Sequence, residues 1–269
     1  MLDLLQYPFM QRALISGIII GVTCSFIGVF VILNKMSFFA NAVAHSSLAG
    51  IAIGFFMGLN PIVTAVIFGI IIGILVSFLK NKSVLSVDTI IGIFLPSSMA
   101  IGVLVISLIE GYKPDLLSYL FGNILAVDRF YLYLSLGLGI LVLVLLSLFF
   151  KQYIFITFDR ELARIQGIKV VLYDYIFVIL LATTVIISTK IVGIILVSAL
   201  VVIPPASSKN ISSNFIQMVF FSILFGFVSS ISGLVLSYYL NLASGATIIM
   251  VSAFIFLISL LLKPVFNKK

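Results

Sequence analysis

Hydrophobic residues occur along this chain in long blocks that are separated by short polar stretches. A helix that crosses a membrane needs about 20 mostly apolar residues, with a range of about 17–25. The blocks predict nine such helices, at 12–33, 38–57, 61–79, 88–109, 130–150, 171–187, 191–208, 215–240 and 246–266. The seventh block is short and contains Pro204 and Pro205, so eight spans are the alternative. The pattern therefore predicts an all-α, polytopic transmembrane helix bundle.

The composition excludes a soluble protein. Of the 269 residues, 63% are hydrophobic and 9% are charged, whereas a soluble domain has about 45–50% apolar and about 25% charged residues. We expect one integral-membrane domain over 1–269. Cys24 is the only cysteine, so an internal disulfide is excluded.

Basic residues predict the orientation, because they collect in cytoplasmic loops. With nine spans and the C-terminus inside, eleven Lys and Arg residues fall inside and four outside. The four outside are Arg12, Lys113, Arg129 and Lys190. This bias accounts for the net charge of +7 without a nucleic-acid partner.

Small residues recur at four-residue spacing in the first three predicted helices. The sets are Gly17/Gly21, Gly50/Gly54/Gly58 and Gly69/Gly73. Such spacing lets helix backbones approach closely in a membrane, so we expect the first three or four helices to form a tight bundle. The alternative is that glycine is simply frequent in membrane helices. We find no glycine-rich phosphate loop and expect no ATP site.

The segment 151–169 is the longest predicted cytoplasmic connection and the most charged. Asp159 is placed to cap a short helix that ends at Gly167, with Glu161 and Arg164 on its polar side. Its apolar face would comprise Leu162, Ala163 and Ile165. Two interpretations remain open at this point: a helix that docks to a partner, or a solvated linker that fixes the topology.

His45 is the only histidine and lies within the second apolar block. Ionisable groups inside a membrane are costly and usually functional. Asn41 lies four residues earlier, hence on the same helix face, and an amide oxygen and an imidazole there can contact one cation. The alternative is a histidine whose hydrogen bonds are made by a neighbouring serine or a backbone carbonyl.

Four acidic residues lie near predicted span ends, where solvated boundary positions are the simplest interpretation: Asp88, Glu110, Asp115 and Asp128. For Asp88 the alternative is that it caps the fourth span instead, because a helix N-terminus favours a carboxylate.

Several motifs, in this order, resemble one family from end to end. They are PFMQRA (8–13), MSFF (36–39) leading to AHS (44–46), DTIIG (88–92), SYLFGNIL (118–125), VGIILVSAL (192–200), IP (203–204) and SGAT (244–247). The chain resembles the integral-membrane permease of bacterial ATP-binding-cassette (ABC) importers for manganese, zinc or iron.

The resemblance implies a fold like that of type II ABC importers and a homodimer in the lipid of the bacterial plasma membrane. Two cytoplasmic ATPase subunits would drive it, and an extracytoplasmic metal-binding protein would deliver the ion. The chain itself would not be an enzyme, and the divalent metal would be its substrate rather than a permanent cofactor. The resemblance also implies that the segment near 157–169, here termed the coupling segment, contacts the ATPase through Asp159, Glu161, Leu162, Ala163, Arg164 and Gly167.

The family's Asp-x-x-x-His pattern is implied to line the metal path, and His45 matches its histidine. Asn41 stands where the family usually has Asp. An amide offers a neutral oxygen in place of a charged one, so cation binding should weaken. This leaves a weaker transient site, a carboxylate from elsewhere, or an altered metal preference. We expect the pair to contact the ion near the extracytoplasmic half of the membrane.

Two other functions remain as alternatives. A stand-alone channel or secondary transporter would be expected to carry more intramembrane charged pairs than this sequence has. An ABC permease for a bulky metal chelate would need a wide central cavity.

Overall fold

The computed structural model describes residues 6–109, 122 and 124–266, and these residues form eleven α-helices and one 3-10 turn (Ile124–Ala126). The helices are α1 (Pro8–Leu33), α2 (Phe39–Met57), α3 (Pro61–Lys82), α4 (Val87–Ser107), α5 (Arg129–Leu148), α6 (Phe150–Phe158), α7 (Arg160–Ile165), α8 (Val170–Val192), α9 (Ile194–Ile211), α10 (Phe215–Leu240) and α11 (Ser244–Phe266).

Nine helices in the described part of the chain are long and apolar enough to cross a membrane: α1–α5 and α8–α11. The prediction of nine spans is thereby confirmed, and the alternative of eight is not needed. The short helices α6 and α7 fall between the fifth and sixth spans. Glu110 and Asp115, and most of the motif at 118–125, lie outside the described residues.

The seventh span, α9, continues through Pro204 and Pro205 instead of breaking. Proline has no N–H, so Pro205 leaves the carbonyl of Val201 without its helical donor. The backbone of Gly28 in α1 lies against that carbonyl, and a Cβ at Gly28 would stand only 2.1 Å from the Val201 oxygen. Close packing against a glycine thus covers the polar group that the proline frees.

Polar side chains fix several helix starts. The Asn60 side chain accepts hydrogen bonds from the amides of Ile62 and Val63 at the start of α3. At α4 the cap is Ser86, which accepts from the Thr89 amide at 3.2 Å. Asp88 is exposed in the first turn, so the alternative that it caps the fourth span is wrong: the serine two residues earlier occupies that position.

The chain divides into two compact units. Unit one comprises residues 1–32, 120–144 and 188–269. In it, α1 and α10 approach closely: a Cβ at Gly21 would lie 2.2 Å from the Ser230 hydroxyl and 2.9 Å from the Gly226 carbonyl oxygen. Cys24 is fully buried on the same helix.

Unit two comprises residues 33–119 and 145–187, and it contains both predicted functional regions. A Cβ at Gly50 of α2 would lie 2.5 Å from the Ala65 Cα of α3. Gly102 of α4 packs against α2 in the same way: a Cβ at Gly102 would lie 3.2 Å from the Ala49 Cα. The expected tight bundle is therefore present for α2–α4, whereas the glycines of α1 serve a different contact, with α10.

Candidate functional site

The first candidate site is the face of α2 that carries His45 and Asn41. His45 follows the first residue of α2 by six positions, about 9 Å along the axis at about 1.5 Å per residue. Both side chains are partly exposed, while the neighbours Ala44 and Ser46 are buried. The helix thus presents an imidazole and an amide on one face of a segment that is mostly buried from Phe39 to Gly54.

The imidazole of His45 has an unused nitrogen. Its Nδ1 is buried, and no hydrogen-bond partner for it exists in the described residues. The two adjacent serines do not supply one, because each bonds to its own helix: Ser46 Oγ donates to the Ala42 carbonyl at 2.7 Å, and Ser47 Oγ donates to the Ala44 carbonyl at 2.5 Å. A histidine satisfied by a neighbouring serine is therefore not what the described part of the chain contains.

A buried nitrogen without a partner costs free energy, and a neutral imidazole nitrogen is a good ligand for divalent transition metals. Within 6–109, 122 and 124–266, no group of three or more His, Cys, Asp or Glu side chains is assembled. Those residues provide no closed cage that would retain a metal permanently. The pair fits brief contact with an ion better than tight storage, and its role in metal binding stays a prediction.

Contacts at the start of α2 show which end of unit two lies nearest to His45. Just before α2, Met36 Sδ accepts from Lys80 Nζ at 3.5 Å, and Asn34 Nδ2 donates to Thr157 Oγ1 in the coupling segment at 3.4 Å. The end of α2 nearest His45 is thus the end beside the coupling segment. Two predictions are therefore incompatible, namely a cytoplasmic coupling segment and an ion contact near the extracytoplasmic half: if the coupling segment is cytoplasmic, His45 lies in the cytoplasmic half of α2.

The second candidate site is the coupling segment. Asp159 Oδ1 accepts hydrogen bonds from the amides of Glu161 and Leu162, both at 2.9 Å, and so caps α7 as predicted. Gly167, with a φ of +80°, ends the turn that follows, as predicted. Its amide donates to the Arg164 carbonyl at 3.0 Å, a closure that a residue with a Cβ would adopt only with strain.

The apolar side of α7 divides into an inner and an outer part. Ala163 is fully buried and packs with Ile156 and Val170. Leu162 and Ile165 are 46% and 85% exposed, respectively. The expectation that all three form one docking face is wrong for Ala163, because its methyl group fills the contact between α7 and the adjoining helices. Glu161, Arg164 and Gly167 are exposed.

One interaction of this segment is absent from the predictions. Arg160 of α7 donates from one guanidinium nitrogen to both carboxylate oxygens of Asp174 in α8. Nearby, Tyr153 of α6 is buried against Tyr173, with ring centroids 5.8 Å apart. Burial, together with Tyr173 and Asp174, raises the pKa of Tyr153, which therefore keeps its proton. The sequence contains one indication of this ion pair: Asp174 is an acidic residue inside the sixth apolar block, where charged side chains are usually paired.

Comparison with known proteins gives one family. The model of the ABC 3 transport family matches residues 6–263. The chain is 38% identical over 259 residues to the manganese import system permease protein ScaB of Streptococcus gordonii, covering 96% of this chain and 93% of that protein. It is 34% identical over 255 residues to the high-affinity zinc uptake system membrane protein ZnuB of Haemophilus influenzae, covering 95% and 98%.

The fold has a solved counterpart. A chain in the structure of PsaBC from Streptococcus pneumoniae in complex with Fab superposes with a TM-score of 0.84. That pair is 36% identical, and the alignment covers 96% of this chain and 93% of the other.

Proposed function

Since this chain belongs to the ABC 3 transport family, we propose that it is the membrane-spanning permease subunit of an ATP-driven importer for divalent metal ions in the bacterial plasma membrane. The observation that carries this is the near full-length similarity to a manganese import permease, at 38% identity. Nine apolar helices supply the multi-pass architecture. Similar chains are named for manganese and for zinc, so manganese, zinc and iron all stay in the substrate class.

The assembly that we propose contains two copies of this chain, two ATPase subunits on the cytoplasmic side and one metal-binding protein on the other. ATP hydrolysis belongs to the ATPase subunits. The exposed side chains Leu162, Ile165, Glu161 and Arg164 of α7 suit docking to them, since an apolar pair flanked by charges is a usual interface composition. Movement of α7 would then switch the helices between outward and inward access.

The transported ion is the substrate and meets the Asn41–His45 face of α2. The unpartnered Nδ1 of His45 supports this role. A neutral amide and one imidazole hold a divalent ion less tightly than a set containing a carboxylate, because no negative charge opposes the ion's own. Weak, brief binding suits a path, since an ion must leave as readily as it enters.

Reconstitution of the complete importer in vesicles tests the proposal. We expect uptake of radioactive manganese or zinc to require ATP, the ATPase subunits and the metal-binding protein. His45→Ala should lower uptake about tenfold or more, because it removes the only imidazole. The matched control is Ser46→Ala, which removes a hydroxyl that bonds only within its own helix and should transport normally.

Two results would overturn the proposal at different levels. Full-rate metal movement without any ATPase subunit would mean that the chain is a stand-alone channel or secondary transporter. Unchanged uptake by a correctly assembled His45→Ala dimer would remove His45 from the ion path and leave the permease function intact.

A further inference from the structure

We propose that the Arg160–Asp174 ion pair is the mechanical link by which displacement of α7 moves the membrane-spanning helix α8. This inference rests on the proposed function, in which α7 contacts an ATPase subunit. It assigns positioning roles to Arg160 and Asp174, which act through the helices that they join and not by touching the transported ion.

The Arg160–Asp174 pair joins two different kinds of element. Arg160 opens the short helix α7, and Asp174 lies in the second turn of the spanning helix α8. One guanidinium nitrogen bonds to both carboxylate oxygens, so the charge-assisted contact holds the side chains of the two helices at a short distance. Only four residues separate α7 from α8, and the two helices are also in contact where Ala163 packs with Val170.

The Arg160–Asp174 pair is partly sheltered from water. The side chains of Arg160 and Asp174 are 32% and 16% exposed. Beside them, Tyr153 packs on Tyr173 and on Phe177, with ring centroids 5.8 and 5.9 Å apart. Charges screened little by solvent interact more strongly than surface pairs, and separating them leaves a charge in a poorly hydrated place. The pair therefore resists being pulled apart.

Within unit two, α8 packs against α3. Where α3 faces α8, a Cβ at Gly69 would lie 2.2 Å from Ile186 Cδ1, and one at Gly73 would lie 2.8 Å from Val178 Cγ1. The two helices have no free space between them at these positions. Close-packed elements transmit a displacement instead of absorbing it, so a movement of α8 reaches α3.

The helix α3 in turn packs against α2, which carries His45. Gly50 of α2 lies against the backbone of α3, and a Cβ at Gly50 would lie 2.5 Å from the Ala65 Cα. The contacts thus run from α7 through Asp174 to α8, then to α3 and α2. Each step is a packing or ionic contact between described residues, so a displacement of α7 has a continuous route to α2.

Lys80 of α3 lies close enough to interact electrostatically with both Arg160 and Asp174. Removal of the carboxylate would therefore leave two cations facing each other. Asp174→Asn alone would combine loss of the ion pair with repulsion between Arg160 and Lys80. The double variant Asp174→Asn/Lys80→Gln separates the two effects, because it removes the Lys80 charge as well.

The test uses the complete importer in vesicles and measures three quantities: binding of the ATPase subunits, ATP hydrolysis, and metal taken up per ATP hydrolysed. We expect Asp174→Asn to bind the ATPase subunits as the wild type does and to hydrolyse ATP, but to take up about tenfold less metal per ATP, within the usual range of coupling effects. Asp174→Asn/Lys80→Gln should show the same loss. The exchange Arg160→Asp/Asp174→Arg should recover at least half of the ratio.

Asp128→Asn is the matched control. Asp128 caps α5 through the Tyr131 amide at 2.9 Å, and asparagine caps equally well, so the ratio should not change. An unaltered ratio in Asp174→Asn would overturn the inference. So would loss of ATPase binding in Asp174→Asn, since the pair would then serve the folding of α7. Failure of the wild-type chain to bind any ATPase subunit would instead overturn the proposed function.

Discussion

The α2 site and the coupling segment lie in the same compact unit, but their polar side chains have opposite surroundings. In the coupling segment, Asp159 caps α7 and Arg160 is paired with Asp174. On α2, the buried Nδ1 of His45 has no partner in the described part of the chain. The first region uses its polar groups to hold a shape, whereas the second leaves a ligand atom available.

This difference indicates where each region obtains its rigidity. The coupling segment is short and partly exposed, so hydrogen bonds and one ion pair must define it. The helix α2 obtains its rigidity from close backbone packing at Gly50 and Gly54 and does not need His45 for that purpose. A side chain that is not needed for folding is free to serve the substrate.

The largest expected effect concerns the packing of α2. Gly50→Val would place its Cβ about where the Ala65 backbone stands, 2.5 Å from the Ala65 Cα, and should destabilise the fold by about 3 kcal/mol. Thermal unfolding of the purified protein measures this. The control Gly92→Ala, on α4 with open space around it, should be neutral or slightly stabilising. Equal stability of the two variants would show that backbone packing is not what fixes α2.

The next effect concerns His45, whose buried Nδ1 has no partner in the described part of the chain. Asn41→Asp adds a carboxylate one helical turn from His45 and should tighten manganese binding about tenfold, which is about 1.4 kcal/mol. Equilibrium binding to the detergent-solubilised protein measures it. The double variant Asn41→Asp/His45→Ala should lose most of the gain, since one of the two ligands is gone. A gain of the same size without His45 would mean that the two residues do not share an ion.

The smallest effect concerns the cap of α7. Asp159→Ala removes the acceptor for the Glu161 and Leu162 amides and should cost about 1 kcal/mol locally, or about fivefold in affinity for the ATPase subunit. Hydrogen exchange at those two amides and binding to the isolated ATPase measure it. Asp159→Asn should behave as the wild type. If alanine and asparagine gave the same exchange rates, the cap would not maintain α7.

Local features of the sequence predicted most of the fold. Long apolar blocks predicted all nine spans, because membrane insertion depends on length and composition more than on distant contacts. The cap at Asp159 and the end at Gly167 were predictable for a similar reason, since both act within a few residues. Ser86 was overlooked because a carboxylate and a hydroxyl were both available at the start of α4.

Contacts between separate helices were not predictable from a single chain. Glycine spacing indicated that Gly17 and Gly21 pack closely, but it could not identify α10 as their partner. The burial of Ala163 depends on Ile156 and Val170, which belong to neighbouring helices. The pair of Arg160 with Asp174 joins residues 14 positions apart across two helices, and no periodicity relates them.

The single cysteine has a practical consequence. Cys24 has no exposed surface, so water-soluble thiol reagents will not reach it in the folded protein. Fluorophores or spin labels on cysteines introduced at exposed positions such as Ile165 and Leu59 would therefore report from those positions alone. The native chain can be used for distance measurements between labelled sites without first replacing its own thiol.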